Sequence, residues 1–254
     1  MEASTPAPPP PPPAPSAKRI DVGRVISETF DLYGKNAGAL LGAAVVVFVI
    51  SGVIQGFLRD EGGFVLLILA TAVSLIANAL YTGYVVELVA DVRADGRRDF
   101  SAGQLLSSAK DAIWRLIAAA ILAGIGIAIG FVLLIIPGLF LLTIWSVFAP
   151  AIVVEGRGVI ESFTRSHELV RGEGWAVFGA IVVAYLIVFV VAAIITAIGA
   201  SASVALLAVL LIVFGILTAP VPALVASILF FDLGGGADRT PAAGAPPAPP
   251  QPAA

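Results

Sequence analysis

The chain has 254 residues, of which 59% are hydrophobic and 12% charged, against roughly 45–50% and about 25% in soluble domains, so a water-soluble core is excluded. A formal net charge of -3 argues against nucleic acid as a partner, since such binders carry a basic patch. With no cysteine and one histidine, disulfides, thiolate nucleophiles and multi-histidine metal sites are excluded as well, and no cofactor motif stands out.

Residues 1–17 contain eight prolines, which supply no amide donor, so residues 1–19 read as an extended, solvated tail. Such a tail is either inert or a ligand for a proline-reading domain. No cleavable signal is visible in it. From Asp21, a capping residue, the positions Val22, Val25, Ile26, Phe30 and Tyr33 recur every three or four residues with Arg24 and Glu28 opposite, which predicts an amphipathic helix on the membrane surface. The first span is then 36–58, a polar turn occupies 59–63, and the second span runs over 64–90.

Ser101 with Gln104 resembles a capping box for a second surface helix bearing Leu105, Leu106, Ala109, Ala112 and Ile113 on one side. Span three is 116–136, ended by Pro137-Gly138, and span four is 139–154. A third surface helix over 159–171 puts Val159, Ile160, Phe163 and Val170 on one face and Glu161, Arg165, Glu168 and Arg171 around the other, with Gly172 as its stop. Spans five and six cover 175–198 and 204–231, joined by small residues. Residues 116–154 and 175–231 contain no charged residue or histidine. Each is too long for one crossing of about 20 residues, so each is a helical hairpin. The remainder, 233–254, is rich in Ala, Pro and Gly and reads as disordered.

These elements predict an all-α polytopic membrane protein: six transmembrane helices over 20–232, with three cytoplasmic interfacial amphipathic helices. An internal repeat supports the division. Residues 31–50 lie without gaps over 168–187, matching Leu32/Leu169, Ala39/Ala176, Gly42/Gly179, Val46/Val183 and Ile50/Ile187, and a weaker middle copy sets Lys110 over Arg171 and Trp114 over Trp175. Of the fourteen Lys and Arg residues, thirteen lie on the tails and the two long connections, and Arg59 lies opposite. The positive-inside rule then predicts the cytoplasmic membrane with both termini cytoplasmic.

Candidate chemistry is sparse. Glu87 is the one acid well inside an apolar span, a functional candidate by default, although near Asp91 its carboxylate can reach water. Asn78, Tyr81 and Tyr84 share a face of that span and suit either a polar lining or interhelical hydrogen bonds. Pro150, Pro220 and Pro222 interrupt spans four and six; broken helices line sites in transporters or are kinks satisfied by neighbours. Arg165 and Arg171, with Trp175 and Trp114, belong at headgroup level, as an ordinary belt or as an anionic-lipid site. His167 lacks catalytic partners, and GIGIAIG from Gly124 is not a dinucleotide loop because no strand precedes it.

Around 136–179 the chain resembles a bacterial family, the glycerophosphoryl diester phosphodiesterase membrane domain. The features are Pro137-Gly138, Trp145, Pro150, Glu155, Arg165-Ser166, Leu169-Val170-Arg171-Gly172 and Trp175, with FDLYGKN at 30–36. The resemblance spans 20–232. It implies the membrane fold and not the diesterase activity, which belongs to a catalytic barrel these residues do not contain. The expectation is a non-enzymatic scaffold or accessory subunit contacting the lipid bilayer and a membrane or cytoplasmic protein partner. The alternative is a small transporter or lipid-handling channel using Glu87 and the proline-broken spans.

Overall fold

The structure, a computed structural model, describes residues 20–60, 63–95, 112–199 and 203–236. Among these the chain is all-α, with nine helices: α1 (Val22–Asp60), α2 (Phe64–Asp95), α3 (Ile113–Leu133), α4 (Ile135–Ile144), α5 (Phe148–Glu155), α6 (Val159–Val170), α7 (Gly174–Gly199), α8 (Val204–Thr218) and α9 (Pro220–Asp232). Six segments are long and apolar enough to cross a membrane: Val22–Gln55, Phe64–Ala94, Ile113–Leu133, Ile135–Glu155, Gly174–Gly199 and Val209–Asp232. Their outer surfaces are bare hydrocarbon, with Val132 86%, Phe189 69% and Ile212 61% exposed. Water would not tolerate so large an apolar surface, and lipid does.

The core lies at the charged end of the bundle. Tyr84, Val85, Leu88 and Val89 on the second half of α2 are fully buried against Leu40 and Ala44 of α1, Val177 and Ala180 of α7, and Leu224, Ile228 and Phe230 of α9. A second cluster joins Leu116, Ala119 and Ala123 of α3 to Ile152 of α5 and Phe163 of α6.

The first surface helix and first span form one helix kinked at Asn36 (φ -114°, ψ 15°), where the Asn36 side chain donates to the Leu32 carbonyl at 3.1 Å. In the register of the internal repeat, Asn36 corresponds to Ala112 and Glu173. Ala112 is the N-cap of α3, and Glu173 lies in the turn between α6 and α7. The joint between surface segment and span thus falls at one register in the first and third copies, and α3 begins at that same register in the second. The second surface helix proposed from Ser101 and Gln104 lies outside the described residues, as does the tail over 1–19.

Three boundaries differ from the sequence reading. Span three ends at Leu134, which is extended (φ -164°, ψ 150°), and Pro137 sits in the first turn of α4, where helix amides have no intrahelical partner and its lack of one costs nothing. Gly138 serves packing and not the turn: α3 and α4 fold back so closely that a Cβ on Gly130 would stand 2.9 Å from Gly138 Cα. Span four is not continuous, since residues 145–147 form a turn between α4 and α5. Finally, the fold runs four residues past Asp232. Gly234 (φ 86°) and Gly236 (φ 79°) adopt the left-handed conformation that glycine tolerates, and the Gly235 amide donates to the Phe230 carbonyl at 2.9 Å. Residues 233–236 therefore belong to the bundle and not to a disordered tail.

Candidate functional site

The break in span four exposes backbone groups that lipid cannot satisfy. Ser166, fully buried on α6, resolves this. Its hydroxyl donates to the Ile144 carbonyl at 2.7 Å and accepts from the Val147 amide at 3.2 Å. Trp145 and Phe148, on either side of the break, stack on Phe163 with ring centroids 4.8 and 5.5 Å away. The amphipathic helix thus plugs into the broken span, beyond merely lying at the interface. Span six is interrupted more gently at Ala219, which keeps helical angles (φ -50°, ψ -40°), and the Tyr33 hydroxyl donates to the Leu217 carbonyl at 3.0 Å beside the interruption.

Both interruptions face one cavity of about 450 Å³. Its polar contributors are Asn78 from α2, Ser146 from the turn in span four, Tyr185 from α7 and Thr218 from α8; Trp145 and Pro222 are among its apolar walls. No charged side chain lines it. Asn78 donates to the Ser74 carbonyl at 2.9 Å and Thr218 to the Phe214 carbonyl at 2.9 Å. The Ser146 hydroxyl is buried without a hydrogen-bond partner, which is costly in an apolar interior. Tyr185 is 54% exposed, so one wall of the cavity reaches the lipid-facing surface.

At the charged end two ionic clusters fasten the helices. Glu155, with its side chain 2% exposed, accepts from Arg165 Nε and Nη2 at 2.9 and 3.0 Å, from Arg157 Nε at 3.2 Å and from the Gly236 amide at 3.0 Å. Asp232, 4% exposed, pairs with Arg24 at 2.5 Å and Arg93 at 3.5 Å, and Glu28 bonds both arginines. Residues 232–236 thereby join the two clusters.

The residues singled out from sequence separate accordingly. Asn78 reaches the cavity. Tyr81 and Tyr84 turn away from it, donating to the Leu40 and Ala39 carbonyls of α1 at 3.1 and 3.3 Å. Glu87 is partly buried and engaged with other residues, but it is not on the cavity wall. Arg165 is turned inward to Glu155, which withdraws it from the headgroup role. Arg171 is exposed and Trp175 is 88% exposed at the charged end, where a headgroup contact is open to both. Among the described residues, no three His, Asp or Glu side chains gather as metal ligands.

Sequence reasoning passed over Ser146, and it noted Ser166 only as part of the Arg165-Ser166 motif, without a role. The signal for Ser166 was available: Val159, Phe163, Ser166 and Val170 recur at spacings of four, three and four, which puts a hydroxyl on the inward face. Nothing in the sequence marks Ser146.

The model of a family described as Domain of unknown function (DUF7847) matches residues 73–231, from the middle of α2 to the last turn of α9. No curated protein and no solved structure matches the chain.

Proposed function

We propose that this chain, which belongs to the DUF7847 family, is a non-enzymatic lipid-handling protein of the bacterial cytoplasmic membrane, with both termini cytoplasmic. The observation that carries the reading is the cavity of about 450 Å³ between two interrupted spans, uncharged and open past Tyr185 toward lipid. Its size lies within the ~300–1,000 Å³ of small-molecule sites. The orientation rests on the cation-rich connections. The resemblance of 136–179 to the glycerophosphoryl diester phosphodiesterase membrane domain is consistent with a lipid-facing role without diesterase chemistry. Glu87 lies off the cavity wall and takes no part in this role.

The test is to isolate the full chain in mild detergent and identify retained lipid by mass spectrometry. Near-stoichiometric lipid is expected, reduced at least severalfold by Val188→Trp, which fills the cavity, and unchanged by Glu87→Gln. If the folded protein retains no lipid, the reading fails. The second reading, a scaffold or accessory subunit contacting a membrane or cytoplasmic protein, is supported by the outer face of α6, where Ile160 is 65% exposed.

A further inference from the structure

We infer that the cavity selects a single-chain amphiphile whose polar end is uncharged and hydrogen-bonding, an ester or alcohol of the monoacylglycerol kind, with the Ser146 hydroxyl as the group that recognises it. This inference rests on the lipid-handling reading and narrows it.

Volume limits the occupant first. About 450 Å³, within the range of small-molecule sites, takes the head and upper part of one chain, and the opening past Tyr185 lets the rest of that chain run out into lipid. Charge limits it next. With no cationic side chain on the wall, a phosphate or carboxylate buried there would lose its hydration without compensation. The arginines of the charged end do not supply it, because Arg165, Arg24 and Arg93 are off the cavity wall and committed to Glu155, Asp232 and Glu28.

Depth then separates a whole ligand from an intruding lipid tail. Asn78 lies midway along α2, about 22 Å of helix rise from Arg93. A phospholipid keeping its head at the surface could bring only hydrocarbon to this level, and the Ser146 hydroxyl would stay unpaired. An occupant carrying its own ester or hydroxyl to mid-membrane satisfies that hydroxyl after a rotation about χ1. Asn78 and Thr218, also uncharged, stand on the same cavity wall, and Tyr185 flanks the way in from lipid.

The protein contains its own reporter. Of three tryptophans, Trp145 lines the cavity, whereas Trp114 and Trp175 are 74% and 88% exposed. The full chain carrying Trp114→Phe and Trp175→Phe, in a non-quenching detergent, is titrated with a brominated monoacylglycerol, the matching brominated fatty acid at alkaline pH, and a brominated phosphatidylglycerol. The expected result is saturable quenching of Trp145 by the monoacylglycerol, at least tenfold weaker for the two anionic lipids. Ser146→Ala should weaken monoacylglycerol binding about fivefold to tenfold with the same maximal quenching. Equal binding of all three lipids, or a Ser146→Ala variant with unchanged affinity, would overturn the inference while leaving lipid handling intact. If none of them quenches saturably although the protein is folded, lipid handling itself falls.

Discussion

Ser166 and Glu155 each hold a junction that the neighbouring chain cannot close by itself. Removing the hydroxyl in Ser166→Ala strands the Ile144 carbonyl and the Val147 amide, 2.7 and 3.2 Å away in the native protein, in a setting with no water to replace it. The expected loss is about 2 kcal/mol, read as a lower unfolding midpoint in detergent with faster exchange at the Val147 amide. Glu155→Gln preserves shape but leaves Arg165, with its side chain 19% exposed, facing a neutral group. Removing one member of a buried pair is strongly destabilising, here by about 3 kcal/mol. Thermal unfolding followed by circular dichroism checks this, and a loss below about 1 kcal/mol would reduce the cluster to the worth of a surface pair.

Among the elements, the hairpin of α3 and α4 is the most sensitive to small changes in volume. A Cβ on Gly130 would stand 2.9 Å from Gly138 Cα and 3.0 Å from its nitrogen, backbone that cannot step aside, while one on Gly124 meets nothing within 4 Å. Gly130→Ala should therefore cost about 1–3 kcal/mol by overpacking. Gly124→Ala should be neutral or slightly stabilising, since alanine is the better helix former. The two variants differ by the same single methyl on one helix, so equal thermal midpoints would refute the close approach. Element boundaries were only partly legible in advance. Pro137, Pro150 and Pro220 announce interruptions, but each sits within the first turn of the following helix, so the break falls before the proline and not at it.

For the whole molecule, the arrangement gathers the interhelical ion pairs among the described residues at one end. Asp232 ties α9 to Arg24 of α1 and Arg93 of α2, and Glu155 ties α5 to α6 and to residue 236. If this end faces the cytoplasm, a cysteine placed at Gly63 should react with a membrane-impermeant maleimide in intact cells, and one at Gly158 should react only after lysis. The chain has no cysteine of its own, so the labels report only the sites introduced. The reverse pattern would invert the topology and with it the assignment of both termini.

Six spans and their hairpin pairing were settled by the sequence, because apolar length and the exclusion of charge from hydrocarbon are properties of consecutive residues. Which polar groups meet was decided by the tertiary structure. Ser146 and Thr218 are far apart in the chain and share a cavity wall, while Tyr81, three residues from Asn78, points elsewhere. Glu155 and Arg165 find each other across a turn, and the glycines at 234–236 fold back onto the bundle for a carboxylate some eighty residues earlier. Hydropathy does not encode such meetings. A hydroxyl in lipid takes whatever partner the packing of other helices brings within reach, and that packing is set by side-chain volume across the whole bundle.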